Sequence, residues 1–238
     1  MFECIKSIRE TYGNIPIIVA DDGYNSDLKR RKMKEWKVEY YRLPFDSGLP
    51  KGRNFLVEKA KTKYILMAED DFYFDKEAQI EKLMTLMEIS DIAGGLTRTP
   101  KGVERYEAFL KRENDILKFE RIYDDNLKEF KGVKYKETDI CFNYFVAKRK
   151  IFEKVKWDEK IKIVFEHADF FLRVKEAGFK VVYTPEAVVK HRIFDFRTSA
   201  EYSKYRWRVE DCHYFFDKWK LKYVIDINGY KYDRDYFF

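Results

Sequence analysis

The chain has 238 residues, 45% hydrophobic and 18% aromatic, with only 10 glycines and 5 prolines, a composition that excludes a disordered or collagenous polypeptide. One globular domain with its own core is expected at this length. The 48 basic and 42 acidic residues leave a formal charge of +6, too slight for a strong polyanion binder but compatible with an anionic small ligand.

In chain order, apolar residues at 2, 5 and 8 predict an amphipathic first helix, and Ile15-Pro16-Ile17-Ile18-Val19-Ala20 a strand. A basic helix near 26–35, a strand over 38–43 and a helix over 51–61 follow. Tyr64-Ile65-Leu66-Met67-Ala68 reads as a buried strand, with a helix around 77–88 after it. Between 97 and 140 the chain turns polar and aromatic with weak periodicity, which suggests antiparallel strands or an excursion over a site. Residues 141–147 look like a core strand and 166–177 a helix ended by Gly178; 180–183 and 187–190 read as strand-like runs. The alternation implies an open, largely parallel sheet with helices on both faces, in which ligands bind beyond the carboxyl ends of the strands. From about residue 196 aromatic and basic residues interleave. This tract reads as a helix packing its aromatic stripe on the domain, or as a contact to an acceptor or membrane surface.

Cys4, Cys141 and Cys212 are far apart with no CxxC pair, which fits a reduced, cytoplasmic chain. No apolar run approaches the ~20 residues of a membrane span, and the first residues carry charges where a signal peptide needs an apolar stretch. A soluble or peripherally membrane-associated protein is expected.

Two acidic groups stand just past predicted strands. Glu69, Asp70 and Asp71 would crowd three carboxylates at one strand end, where a divalent cation shared with substrate phosphates relieves their repulsion; a solvated turn capping the next helix is the competing reading. Asp21 and Asp22 could accept bonds from a ribose or base, or simply form an Asp-Gly turn. Gly48-Leu49-Pro50-Lys51-Gly52-Arg53 puts Lys51 and Arg53 at a helix start suited to anions, without Walker spacing. Glu166 and Asp169 share a helix face with Arg173: one is a candidate general base, or the group is an acidic first turn with an ion pair. His191, after a strand-like run, is a structural histidine or a nitrogen ligand for the metal of Asp71.

In this order the motifs resemble metal-dependent nucleotide-sugar glycosyltransferases of the GT-A fold. IPIIVADDG is similar to that family's second strand and nucleotide-binding acid, GLPKGRN with TKYILMAEDDFYF to its Gly-Arg-Asn segment and DxD strand, and FEHADFFLRVKEAGFKVVYTPEAVVKH to its acceptor helix and metal-site histidine. Within the superfamily the central segments look most like the inverting ganglioside-type β-N-acetylgalactosaminyltransferases. The resemblance implies a Rossmann-like open mixed sheet and Mn²⁺ or Mg²⁺ as cofactor. It implies Asp21 or Asp22, Lys51 and Arg53 on uridine diphosphate, Glu69 and Asp70 near the nucleotide, and Asp71 and His191 on the metal. Glu166, His167 or Asp169 would then act at the acceptor. The family's first strand would precede the first helix, so that part of the base site is expected to be missing from this chain or supplied differently.

The resulting expectation is a GT-A-like domain over 1–195 with a basic-aromatic helical extension over 196–238. It would move a sugar, N-acetylhexosamine among the candidates, from a UDP-sugar to a hydroxyl of a glycan or glycolipid, with membrane contact through the extension as an option. A non-catalytic nucleotide- or carbohydrate-binding module is the alternative. The basic run at 29–34 motivates a nucleic-acid reading, set aside because it reads as a solvated helix face.

Overall fold

A computed structural model describes residues 1–192, 205 and 207–235. Helix α1 (Phe2–Tyr12) buries Cys4, Ile5 and Ile8, while its Ser7 hydroxyl accepts a bond from the Phe74 amide at 2.9 Å and so ties the helix to the acidic-turn region. Strands β1 (Ile18–Asp21) and β2 (Glu39–Arg42) pair in parallel across α2 (Asp27–Glu35) and form a sheet of their own. Helix α3 (Leu49–Lys59) leaves Gly48, whose φ of 90° is open to glycine and strained for other residues.

The main sheet runs β3 (Tyr64–Met67), β11 (Phe145–Lys148), β5 (Ile92–Thr99), β12 (Val181–His191), β10 (Val133–Thr138), β9 (Lys128–Phe130). Two short strands join it off this path: β4 (Phe72–Tyr73) on β12 and β6 (Gly102–Glu104) on β5. Side chains alternate across it, as the two-residue period of a strand requires. Ile92, Phe145, Ala147 and Val181 enter one core, and Ala93, Val146 and Val182 the other. Helix α1 and helix α4 (Ile80–Leu86) contribute to the second core, whereas α3, α5 (Glu166–Glu176) and α6 (Val209–Trp219) pack into the first. Helices therefore cover both faces.

A third sheet orders β14 (Lys231–Tyr232), β13 (Tyr223–Ile225), β8 (Ile116–Arg121) and β7 (Ala108–Glu113).

The main sheet is mixed, as the resemblance implies: β5–β12 run parallel, while β3–β11, β11–β5, β12–β10 and β10–β9 are antiparallel, because the segment after β5 returns as hairpins instead of crossover helices. The largely parallel sheet suggested by the alternation alone is thereby corrected, and two further readings need correction. The runs 180–183 and 187–190 are one strand, β12, with a register shift between Tyr183 and Val188 that accommodates Pro185, which has no N–H for the ladder. After Trp219 the chain adds β13 and β14 where a helical extension was expected. Helix α6 itself buries Cys212, Phe215, Phe216 and Trp219 in the core shared with α5, so it packs inward. The expected 195/196 boundary and 236–238 lie outside the described residues. Among the described residues no helix is long and apolar enough to cross a membrane.

Gly95 on β5 sits where backbones press together: a Cβ there would lie 2.5 Å from the Ala187 carbonyl oxygen and 2.6 Å from the Tyr144 ring. Neither partner can withdraw easily, since Ala187 is on the neighbouring strand and Tyr144 is fully buried with its hydroxyl donating to the Ala78 carbonyl. Gly95→Ala is expected to destabilise the chain by about 1–3 kcal/mol through overpacking. A urea midpoint equal to wild type would contradict this.

Candidate active site

The apolar strand β3 ends at Met67, and Glu69 to Asp71 make the turn into β4, closed by the Phe72 amide on the Glu69 carbonyl at 3.3 Å. Strand β4 then pairs with the far end of β12, Phe72 opposite His191 and Tyr73 opposite Lys190. That pairing brings two segments 120 residues apart in the chain into one site. Asp71 Oδ2 lies 3.3 Å from His191 Nε2, and both side chains are buried. Glu69, Asp71 and His191 each offer a ligand atom within 4.8 Å of the others.

Two carboxylates and an imidazole form a hard oxygen-and-nitrogen donor set that fits Mg²⁺ or Mn²⁺. Of the three acids in the turn, Asp70 faces solvent with its side chain 77% exposed and lies outside this cluster. Glu69, read from the sequence as a nucleotide contact, is instead drawn in beside Asp71 and His191.

A second group adjoins it. Arg53, on α3 and only 6% exposed, donates from Nη1 to Glu166 Oε2 at 2.5 Å and reaches Glu69 Oε1 from Nη2 at 3.4 Å. Asn143 Nδ2 donates to the same Glu69 oxygen at 2.7 Å. The guanidinium also lies over the Trp157 ring, 5.8 Å from its centroid. One cation thus links the candidate metal carboxylate to the first residue of α5. Asn54, next to Arg53, holds the segment carrying Trp157: its side chain donates to the Trp157 carbonyl and accepts from the Trp157 amide, both at 2.9 Å.

The three acceptor-site candidates differ sharply. Glu166 opens α5 and is 5% exposed. Asp169 is fully buried and engaged by Arg173 at 2.7 Å, Lys218 at 2.6 Å and the Trp219 indole N–H at 2.9 Å, so its carboxylate binds α6 to α5. His167 Nε2 lies 2.6 Å from the Cys141 carbonyl, and therefore carries the proton it donates. Burial first, then the Arg53 charge, push the His167 imidazole down to about 3, which keeps it neutral and weakly basic.

Helix α6 sets where α5 begins. Asp211 Oδ2 accepts from the amides of Lys162, Ile163 and Val164 at 2.8–3.1 Å, and Phe165, at a φ of 63°, stacks on Phe215 at 4.6 Å between centroids. Nothing in the sequence pattern singles out Asp211, which lies 45 residues beyond Glu166.

The strand-end acids of β1 sit apart from this network. Asp21 accepts from Lys29 at 2.8 Å, Tyr40 at 2.6 Å and the Gly23 amide at 2.9 Å. Burial alone would raise its carboxyl, but these bonds outweigh it and hold the group below the usual range. Asp22 accepts from the Gly48 amide at 3.0 Å and so anchors the entry to α3, whose first turn carries exposed Lys51.

Beyond His191 opens a cavity of about 430 Å³, lined among others by Glu104, Arg105, Tyr106, Arg121, Phe142 and Asn228. Glu104 Oε2 is 2.5 Å from His191 Nδ1, so this wall touches the candidate metal site directly.

Sheet order and site together define the class: a mixed sheet with an acidic turn after strand β3, the GT-A fold. Solved structures carry the same fold. A crystal structure of GalNAc-T7 with UDP, GalNAc and Mn²⁺ superposes with a TM-score of 0.63 at 14% identity, covering 81% of this chain and 40% of that one. One of S. aureus TarS 1–349 gives 0.55 at 14% identity, over 79% and 55%. The chain belongs to glycosyl transferase family 2, whose model matches residues 2–156. Among curated proteins it is 32% identical over 177 residues to human beta-1,4 N-acetylgalactosaminyltransferase 1, covering 71% of this chain and 32% of that protein. It is 29% identical over 213 residues to an uncharacterized glycosyltransferase of Methanocaldococcus jannaschii, over 80% and 65%. The chain spans about a third of the length of the N-acetylgalactosaminyltransferase.

Proposed function

We propose that the chain transfers a sugar, an N-acetylhexosamine, from a UDP-sugar to a hydroxyl of a glycan or glycolipid with inversion, using Mn²⁺ or Mg²⁺. The observation that carries this is the continuous contact from Glu69, Asp71 and His191 through Arg53 to Glu166, which sets a cation site and a carboxylate on two sides of one guanidinium. The similarity to an N-acetylgalactosaminyltransferase supports the choice of donor.

Glu69, Asp71 and His191 would hold the ion, which when bound supplies positive charge to the leaving diphosphate. Arg53 holds Glu166 through Nη1, and its looser contact, the 3.4 Å reach to Glu69, is the one a diphosphate oxygen would replace. The acceptor oxygen attacks the anomeric carbon, the bond from that carbon to the diphosphate oxygen breaks, and the hydroxyl proton passes to Glu166. Asp169 is reserved for the α5–α6 contact and His167 is too weakly basic, which leaves Glu166 as the base. The cavity beside Glu104, with Tyr106 and Phe142 in its walls, is the seat for an acceptor sugar ring, and exposed Tyr205 and Trp207 are where a lipid-linked acceptor would meet the surface.

The test is UDP release by the purified chain across a panel of UDP-sugars with Mn²⁺, with and without EDTA. Release from one donor that EDTA abolishes is expected, with transfer to acceptor falling about 10²–10⁴-fold in Glu166→Gln. Silence with every donor, alongside measurable UDP binding, would mark a binding module instead.

A further inference from the structure

We propose that Glu104 is the positioning residue of the metal site: its carboxylate holds the His191 proton on Nδ1, which leaves the Nε2 lone pair facing Asp71 and Glu69. The inference rests on the metal-site reading above.

His191 lies between two carboxylates, and each could claim the ring proton. Glu104 Oε2 is 2.5 Å from Nδ1 and hydrogen-bonded to it, whereas Asp71 Oδ2 is 3.3 Å from Nε2, an ionic contact only. A carboxylate oxygen accepts, so the nitrogen bonded to Glu104 is the one that donates its hydrogen. An imidazole that ligates a metal is neutral and has a single N–H, so with that hydrogen on Nδ1 the Nε2 lone pair is on the side where Glu69 and Asp71 converge.

The ring has little freedom to turn over. His191 is 7% exposed, with Phe72 at 5.5 Å and Phe142 at 5.9 Å between centroids. Glu104 is itself held in place. It sits on β6 directly opposite Thr97 of β5, and the Thr97 hydroxyl donates to the same Oε2 at 3.2 Å. Strand β5 in turn runs beside β12, which carries His191 two residues past Val189, the partner of Thr97. Three adjacent strands therefore fix the geometry of one hydrogen bond. A carboxylate behind a ligating imidazole selects the tautomer and raises ligand basicity, and its loss typically weakens metal affinity 10–100-fold.

Two readouts on the full chain at one fixed pH test this. The first is the His191 tautomer in the metal-free protein by long-range ¹H–¹⁵N correlation, and the second is Mn²⁺ affinity from the electron paramagnetic resonance of the free ion. Wild type should show Nδ1 protonated. Glu104→Ala should shift the ring toward the Nε2-protonated form and bind Mn²⁺ 10–100-fold more weakly. Glu104→Gln, whose amide oxygen still accepts a bond, should recover most of that loss and guards against a misfolded alanine variant. An Nε2-protonated ring in wild type, or unchanged tautomer and Mn²⁺ affinity in Glu104→Ala, would overturn the proposal. Wild type that binds no Mn²⁺ would sink the metal-site reading, and the tautomer measurement would still decide the role of Glu104.

Discussion

Asp71→Asn is expected to lower metal-dependent transfer by at least about 10³-fold while leaving the chain folded. The loss follows from the charge that a metal at this site sets against the leaving diphosphate: several kcal/mol are at stake, and each 1.4 kcal/mol is a factor of ten. Thermal melts should show a stabilisation by Mn²⁺ in wild type that the variant lacks. Full activity with unaltered Mn²⁺ dependence in Asp71→Asn would remove the metal site from the reaction.

The pieces of this site differ in how openly the sequence shows them. Asp71 was legible because a continuous apolar run stops abruptly at acids, and that transition has few meanings besides a strand end. His191 closes a similar run. Their meeting depends on β4, a strand of two residues too short to produce a periodic signal, pairing with the last residues of β12. Glu104 was hidden for the same reason. It lies in the stretch after 97 where periodicity fades, on a three-residue strand. The signal that locates it is a turn: Thr99 pairs with Gly102 across Pro100-Lys101, and that hairpin register sets Glu104 opposite Thr97. Turn chemistry, not hydrophobic pattern, carries the information there.

At the level of fold, the alternation of strands and helices up to β3 was readable, and α2, α3 and α5 fall within a few residues of their predicted spans. Strand direction was not. Whether β11 runs parallel or antiparallel to β5 depends on how the chain between them closes, and β6 to β10 close it with hairpins whose side chains are half exposed and weakly patterned. Asp169 shows the same limit for a side chain. Its spacing to Arg173 was correctly read as an i,i+4 pair. Its larger commitment, to Lys218 and Trp219 of α6, is tertiary and leaves no trace in local sequence.

Arg53→Met is expected to cost about 3–5 kcal/mol, a large part of the 5–15 kcal/mol that holds a domain together. The reason is what remains behind: Glu166, 5% exposed and in contact with Arg53 at 2.5 Å, would keep a buried negative charge stripped of this cation. Arg53→Lys should not rescue, because one ammonium cannot reproduce the planar fork that meets Glu166 with one nitrogen and Glu69 with the other. The double variant Arg53→Met with Glu166→Gln separates charge from packing. If the cost comes from the carboxylate that loses Arg53, the double variant is more stable than Arg53→Met alone, and the coupling measured in urea is clearly nonzero. Equal stabilities would instead assign the loss to the Arg53 stem and its contact with Trp157. The same pair bears on function, since a guanidinium that holds the base and also meets the donor should change both kcat and the KM for UDP-sugar when removed. A change in kcat alone would confine Arg53 to the base, and leave donor binding to the α3 entrance, where Asp22 fixes the Gly48 backbone ahead of exposed Lys51.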